Sequence, residues 1–419
     1  MRSRTFKALG LTSNTRKRFL LSGAILASAS MACTAGAYTI PQFSTGSDIS
    51  YYPAIEANGG TYSYNGQQTG ILGAMTDAGV NTARIRLFTG TSSSPDTLNN
   101  LAYDLPMLQQ VDAAGLYSVL NMHLSDTWAS NGSGNQTPPS GWGSYNLSQM
   151  ETALYNYCDT TMTTLRTNNA MPAMVTVGNE INDGILAPIG QLSNPATTAQ
   201  WSAFAGLLNS AISGIDAGSN GNAPAIMLTV AGGTGQGGQS VTGYFQMLSS
   251  LNVKYNAIGY DYYPNWSGSL SRMQNDLNSL STLGKPIILS ETSYPYTLNS
   301  TNSSDATSPT FTYPITPAGQ AQYAAKLISI VKAVPNGMGR GVWWWGGEDI
   351  PVANPNYFLN SWFYPYGSLF DQNGNALPVL NTLGNAALGS VPEPGSLDLL
   401  GAATVLAMVG GFARRRKTG

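Results

Sequence analysis

The chain has 419 residues, a net charge of −2 and only 10% charged residues, and it is rich in Gly, Tyr and Trp. That length suits one large domain or two ordinary ones, and the near-neutral balance offers no basic surface for a nucleic acid. Many aromatic, Asn, Ser and Thr residues with few charges favour an exported protein that handles a neutral, hydroxyl-rich ligand.

The N-terminus carries the three parts of a secretory signal peptide. Six Arg and Lys residues lie between Arg2 and Arg18, an apolar stretch follows at 19–29, and Ala35-Gly36-Ala37 fits the small-residue cleavage pattern. The apolar stretch is too short to span a hydrocarbon core of about 30 Å, which favours cleavage over a membrane anchor. We therefore expect export with residues 1–37 removed, which leaves Cys158 as the one cysteine and predicts a buried structural thiol.

Eight apolar runs in residues 38–389 predict buried strands. They lie at 46–49, 82–88, 117–123, 173–179, 226–230, 257–260, 286–290 and 341–345. Helical patterns separate most of them, for example at 70–78, 105–114 and 320–334. Alternation of strand and helix with right-handed crossovers predicts a parallel sheet, and eight units close a (β/α)8 TIM barrel in a single domain.

Polar and aromatic residues gather where these strands are predicted to end, which is the rim that carries chemistry in such barrels. Glu180 directly follows the fourth run and Glu291 the seventh. Two carboxyl groups at one rim are the smallest set of side chains needed to hydrolyse a glycosidic bond. Further rim candidates for substrate binding are Arg84, Arg86, His123, Asp126, Trp128, Asn179, Tyr262, Tyr263, Trp266, Trp344 and Trp345.

Seven segments in the same order resemble the endo-β-1,4-galactanases of glycoside hydrolase family 53 over nearly the whole of residues 38–389. They are SDISYYPAIEANGGTYSYNGQ, AGVNTARIRLF, LSDTWASNGSGNQTPPSGW, VGNEINDGILAP, YYPNW, ETSYPYT and GSLFDQNGNALPVL. The resemblance implies a retaining endo-glycosidase that acts on β-1,4-galactan, such as the arabinogalactan side chains of pectin. It also implies that Glu180 is the general acid/base and Glu291 the nucleophile.

The two glutamates should influence each other. A negative charge on Glu291 is expected to raise the pKa of Glu180, which keeps the acid protonated near neutrality. Arg84 or Arg86 beside Glu291 would keep the nucleophile ionised, although the two arginines could instead form ion pairs in the barrel core. Asn179 is placed to hydrogen-bond the sugar 2-hydroxyl, or else is a turn residue.

The remaining rim residues each allow two interpretations. Tyr262 or Tyr263 is expected to orient Glu291. His123 is the sole histidine, so a zinc site is excluded, and it is expected to donate a hydrogen bond to sugar. Asp126 and Trp128 are expected to supply a hydroxyl acceptor and a stacking face. Other stacking candidates are Trp266, Trp344 and Trp345, any of which could equally be core.

Three positions depart from the family pattern. Thr229 stands where the family commonly has His, and Gly346-Gly347 where Glu-Pro often follows the Trp of the eighth strand. We expect substrate preference, rather than catalysis, to be affected. No metal or other cofactor is predicted, but a calcium site near 302–305 stays undecided because that segment has no dense carboxylate cluster.

The C-terminus resembles the PEP-CTERM sorting signal of Gram-negative bacteria. Val391-Pro392-Glu393-Pro394 precedes an apolar stretch at 399–412, which is followed by a cluster of three Arg and one Lys. The resemblance implies that residues 390–419 are a tail with a short transmembrane helix, cut by a sorting protease, which leaves a secreted or cell-surface protein. The alternative is a permanent tail anchor.

These observations together predict a secreted monomeric galactanase. One alternative is a divergent β-glycanase of the same superfamily that acts on another polysaccharide backbone. A second alternative, of a different class, is a non-catalytic polysaccharide-binding surface protein.

Overall fold

The computed structural model describes residues 39–90, 98–132, 136–233, 236–297, 311–352 and 366–389. Eight parallel strands of this part close into a barrel, which confirms the (β/α)8 prediction. The predicted signal peptide at 1–37, the tail at 390–419 and the undecided calcium segment at 302–305 lie outside the described residues. Among the helices within them, none has the length and apolar character needed to cross a membrane.

The strands of the barrel follow the predicted apolar runs to within two residues at either end. In chain order, and called the first to the eighth strand below, they are Ser44–Asp48, Thr82–Leu87, Tyr117–Met122, Met174–Val177, Ala225–Ala231, Ala257–Asp261, Ile287–Glu291 and Gly339–Trp344. Each strand pairs with the next along the chain, and the first pairs with the eighth, with Gly46 opposite Trp343. All eight carboxyl ends therefore meet at one rim.

Helices surround the barrel on its outer face. They are Tyr52–Ala57, Ile71–Ala78, Leu101–Ala113, Leu147–Thr167, Thr198–Ser219, Val241–Ser250, Leu270–Leu280, Pro317–Lys332 and Pro378–Ala387. Two of the three predicted helices begin earlier than expected, because the side chains of Asn100 and Thr316 accept backbone N–H groups as N-caps.

Shorter elements complete the described part. Single 3-10 turns occur at Ile181–Asp183, Ser281–Leu283 and Pro335–Gly337. Two antiparallel ribbons pair Tyr62–Tyr64 with Gln67–Thr69 and Gly184–Ile185 with Gly190–Gln191.

The core has two parts because each strand is covered on both faces. A small cluster that includes Val119, Met174, Ile288 and Trp343 fills the barrel interior below the rim, and a much larger one lies between strands and helices. Trp344 belongs to the larger cluster and donates its indole N–H to the carbonyl of Gly367, so its interpretation as a sugar-stacking residue is wrong.

The lone thiol also belongs to the core. Cys158 is fully buried in the helix Leu147–Thr167, and burial raises its pKa above the usual range. Because a thiol in that state is a poor nucleophile, the structure agrees with the structural role predicted for it.

Candidate active site

Glu180 lies three residues beyond the fourth strand, so the prediction that it ends a strand is wrong. Its backbone is left-handed, with φ 44° and ψ 57°, an uncommon conformation for a residue other than glycine. The backbone N–H of Glu180 donates to Thr229 Oγ1 at 3.2 Å, and the backbone N–H of Asn131 donates to its carboxylate Oε2 at 3.0 Å. These contacts, the first of them from the fifth strand, hold Glu180 in place and direct its carboxyl group.

Glu291 is the last residue of the seventh strand and is only 5% exposed. One carboxylate oxygen lies 2.7 Å from Nη2 of Arg84, and the other accepts a 2.9 Å hydrogen bond from the hydroxyl of Tyr263. These two contacts hold the carboxylate in a fixed orientation. The sequence offered two arginines and two tyrosines as partners of Glu291. Of these four residues, Arg84 and Tyr263 contact its carboxylate.

Arg84 connects Glu291 to Asn179 at the end of the fourth strand. Its Nη2 donates to Asn179 Oδ1 at 2.9 Å, and the side-chain amide of Asn121 donates to the same oxygen at 2.9 Å. The amide nitrogen of Asn179 donates to the carbonyl of Ala129 at 2.9 Å. Asn179 is therefore fixed in orientation, and one amide hydrogen is left for a sugar hydroxyl.

Arg86 lies beside the site rather than at Glu291. Its guanidinium is 3.4 Å from Asp48 and lies over the rings of Tyr51, Trp128 and Trp345 at 4.3, 4.8 and 4.8 Å. Asp48 also lies 3.5 Å from Arg84. Sequence reasoning missed Asp48, although an aspartate inside the first apolar run was a usable signal.

His123 lies in an aromatic cluster behind this rim and is 1% exposed. Phe88 and Trp128 contact its ring, and Trp345 contacts Trp128 in turn. Burial, and then the charges of the two nearby arginines, lower the pKa of His123 well below its usual value. Because Nδ1 accepts the backbone N–H of Ala129, the neutral ring carries its proton on Nε2, as a donor to sugar requires.

Four further candidates differ in their exposure to solvent. Trp266 is 47% exposed and lies 5.2 Å from the ring of Tyr263, which suits stacking on a sugar. Trp345 is half-buried above the arginines, and Trp128 is half-buried beside it. Tyr262 is 2% exposed and its hydroxyl donates to the carbonyl of Gly268 at 2.8 Å, so its predicted contact with substrate or Glu291 is wrong.

Asp126 holds two rim loops together. One of its carboxylate oxygens accepts the hydroxyl of Thr89 at 2.6 Å, and the other accepts the backbone N–H of Ser140 at 2.7 Å. Both partners are distant in sequence. Asp126 is half-buried and each carboxylate oxygen can accept a second hydrogen bond, so its role as an acceptor for a sugar hydroxyl stays a prediction.

Asp261 is a third carboxyl group in the site and was not predicted. It ends the sixth strand, where an irregular register sets it opposite Glu291. One carboxylate oxygen of each of Glu180, Asp261 and Glu291 lies within 4.8 Å of the other two. This spacing is compatible with a cation, but the guanidinium of Arg84 already supplies positive charge there, so we assign no metal.

The protonation of Glu180 follows from this environment. Burial, and then the negative charge of Glu291, raise its pKa from 4.5 to about 7, whereas the Asn131 hydrogen bond and Arg84 act in the opposite direction. The sequence-based expectation that Glu291 raises this pKa is confirmed, with burial as the larger cause. Glu180 can therefore keep its proton up to near-neutral pH, as a general acid requires.

The two adjacent tyrosines provide a matched test of how Glu291 is oriented. Tyr263→Phe removes the hydroxyl that donates to Glu291, and we expect kcat to fall about tenfold, the worth of roughly one charge-assisted hydrogen bond. Tyr262→Phe removes a hydroxyl bonded only to Gly268 and should leave kcat within about twofold. Equal losses of kcat in the two variants would contradict the assignment to Tyr263.

A family model described as glycosyl hydrolase family 53 matches residues 44–383 of the chain. An uncharacterised protein of Niallia circulans is 32% identical over 358 residues, which covers 81% of this chain and 93% of that protein. The probable arabinogalactan endo-beta-1,4-galactanase A of Aspergillus tubingensis is 31% identical over 312 residues, or 72% of this chain and 83% of that protein.

Among solved structures, the GH53 catalytic domain of Ignisphaera aggregans superposes with a TM-score of 0.69 at 26% identity. The match covers 84% of this chain and 98% of that one. Sequence and fold therefore agree on the same family over the part of the chain that contains both glutamates.

Proposed function

Since the chain belongs to glycosyl hydrolase family 53 and is thus a glycoside hydrolase, we propose that it cleaves β-1,4-galactan internally with retention of anomeric configuration. Glu291 is the proposed nucleophile and Glu180 the proposed acid/base. The observation that carries the proposal is the short distance between these two carboxyl groups, whose closest oxygens lie within 4.8 Å. Retaining enzymes separate the two groups by about 5 to 5.5 Å, and inverting enzymes leave room for a water between them.

In the first step, ionised Glu291 attacks the anomeric carbon and the glycosidic C–O bond breaks. Protonated Glu180 gives its proton to the leaving oxygen. Glu291 loses its negative charge as the neutral ester of the glycosyl-enzyme forms, and Glu180, which has given up its proton, now carries that charge. Tyr263, whose hydroxyl donates to Glu291 at 2.9 Å, holds the attacking carboxylate in place.

In the second step, water attacks the anomeric carbon as the ester bond to Glu291 breaks. Glu180, now ionised, accepts the water proton. Its pKa is lower at this stage because the negative charge of Glu291, one of the two causes that raise it, has been consumed by the ester. One residue can therefore act as acid and then as base.

Substrate and stereochemistry are tested on purified residues 38–389. Release of reducing sugars is measured on galactan, arabinogalactan, mannan and β-glucans, and proton NMR follows the first anomer formed. We expect activity on the two galactans and an initial β-anomer. An initial α-anomer would rule out the double displacement, and activity confined to mannan or β-glucan would rule out galactan as substrate.

The pH profile provides a further prediction. Glu180 must be protonated to donate, so kcat/KM should fall as pH rises through about 7, the pKa of this group. Below about pH 7 the protonated form of Glu180 predominates, so the ionisation of this group should no longer reduce kcat/KM. Glu180→Ala should lose the alkaline fall on an aryl galactoside with a good leaving group, because such a group departs without protonation. A profile that keeps the same fall in Glu180→Ala would assign it to another residue.

A second candidate substrate is a different β-linked backbone, favoured by two departures beside the catalytic pair. Thr229 contacts the backbone of Glu180 directly. Gly347 allows a close approach to Ser47 and Leu369, since an added Cβ would lie 2.1 and 2.7 Å from their side-chain atoms. The polysaccharide panel described above decides between the two backbones.

We also propose export of the chain, removal of residues 1–37, and cleavage of the tail 390–419 by a sorting protease. The sequence patterns at the two termini support this. Mass spectrometry of the mature protein from a Gram-negative host should find an N-terminus at Tyr38 and no tail, and size-exclusion chromatography should find a monomer. An intact tail in the membrane fraction would instead support a permanent anchor.

A further inference from the structure

Asp261 is the one carboxyl group of the described site to which the mechanism above gives no task. Its side chain is 1% exposed. Oδ1 accepts a hydrogen bond from the hydroxyl of Ser290, and Oδ2 has no hydrogen-bond partner among the described residues. Leaving a buried polar atom without a partner costs stability, so such an atom in an active site suggests a ligand that supplies the partner.

The charges around Asp261 favour its neutral form. Arg84 and Arg86 both contact Asp48, and Arg84 in addition contacts Glu291 at 2.7 Å. Burial, and then the negative charges of Glu291 and Glu180, raise the pKa of Asp261 well above its usual value, whereas Arg84 and the Ser290 hydrogen bond act in the opposite direction. Ionising a buried group in that setting is unfavourable.

The spacing of the three carboxyl groups defines a small binding position. Their nearest oxygens lie within 4.8 Å of one another. Three points with that spacing share a location no farther than about 2.8 Å from each, which is an O–H···O hydrogen-bond distance. One water oxygen can therefore contact Glu180 and Asp261 together. In the glycosyl-enzyme the anomeric carbon lies between that water and the ester oxygen of Glu291.

We propose that Asp261 is a third carboxyl group of the reaction site, which stays neutral and hydrogen-bonds the water that hydrolyses the glycosyl-enzyme. The inference rests on the double displacement under the proposed function. In that step the water oxygen bonds to the anomeric carbon, the ester bond to Glu291 breaks, and one water proton passes to Glu180. The Oδ2 atom of Asp261, which has no partner among the described residues, hydrogen-bonds this water and holds it in position. Water is therefore favoured as the acceptor over an alcohol with a bulky substituent at the same position.

The test is a competition between water and methanol as acceptors. Galacto-oligosaccharide is hydrolysed in the presence of methanol, and the ratio of methyl galactosides to hydrolysis products is measured. Asp261→Ala should raise this ratio by a factor of about three to ten, the worth of one hydrogen bond. Asp261→Asn keeps the shape and the hydrogen bonding without a charge, and its ratio should stay within about twofold of the wild type. Asp261→Ser replaces the alanine variant if that variant does not fold.

Asp104→Asn is the matched control. Asp104 is also buried, accepts one hydrogen bond through Oδ1 from Asn99, and has an Oδ2 without a partner among the described residues, but it lies on a helix outside the three-carboxyl cluster. The Asp104→Asn variant should leave the ratio of methyl galactosides to hydrolysis products unchanged. An unchanged ratio in Asp261→Ala overturns the proposal even if the rate falls, and a ratio in Asp261→Asn as high as in Asp261→Ala overturns the neutral role.

The same experiment separates this inference from the proposed function. Methyl galactosides of retained configuration, with a ratio that does not respond to Asp261, would reject only the role of Asp261. Products of inverted configuration would reject the double displacement itself and the inference with it. An infrared difference spectrum of wild type minus Asp261→Asn adds a readout without substrate, since a neutral carboxyl group contributes a protonated C=O stretch and an ionised one does not.

Discussion

Glu291→Gln should lower kcat/KM on galactan by a factor of at least about 10⁴, the scale of loss when a covalent nucleophile is removed. Glutamine keeps the size of the side chain but cannot form the glycosyl ester. The melting temperature should change far less than the activity, because the variant retains a polar group beside Tyr263 and Arg84. Reducing-sugar release and thermal unfolding measure the two quantities.

Azide reactivation distinguishes the nucleophile from the acid/base. In Glu291→Ala, azide can enter the space left by the carboxylate and attack the anomeric carbon once, which should give an α-galactosyl azide from an activated β-galactoside. In Glu180→Ala, azide should instead attack the glycosyl-enzyme and give the β-azide. Glu56→Gln, at an exposed position of the first helix, is the control and should keep full activity. More than about 1% residual activity in Glu291→Gln would argue against its role.

Arg84→Met should destabilise the protein by about 3 to 5 kcal/mol, because removing one member of a buried ion-pair network leaves the others uncompensated. Without this guanidinium, Asp48 and Glu291 lose the cation that they share, and Asn179 loses a hydrogen-bond donor. We also expect kcat to fall by a factor of at least about 100, since the orientation of Glu291, the proposed nucleophile, depends on this guanidinium. Denaturant unfolding and steady-state kinetics measure the two effects.

Arg272→Met is the matched control for this variant. The side chain of Arg272 is 53% exposed and lies 4.0 Å from Asp276, so its ion pair is weak and screened by water. The free energy of unfolding should change by no more than about 0.5 kcal/mol, with kcat unaffected. If Arg84→Met behaves like Arg272→Met, the buried network does not support the site as we describe it.

Several choices that the sequence left open were decided by contacts between distant segments. Arg84 and Arg86 are two residues apart and share one face of the second strand, so alternation alone could not tell which one reaches Glu291. Tyr262 and Tyr263 are neighbours, but only Tyr263 donates to Glu291. The part of Asp126 in holding two loops together was not evident from the sequence because its partners, Thr89 and Ser140, lie in other loops.

The amino-acid sequence was enough to predict the barrel, the rim at which the candidate site lies and the family. Apolar runs covered on both faces are local signals, and all eight were recognised because parallel strands need apolar side chains on both sides. Which rim groups form ion pairs, and which keep a proton near neutral pH, was evident from the tertiary structure and not from the sequence. The pKa of Glu180 near 7, the pairing of Arg84 with Glu291, and the third carboxyl group at Asp261 arise from distances between strands that lie far apart in the chain. Electrostatic interactions depend on those distances and on burial, neither of which a linear pattern contains.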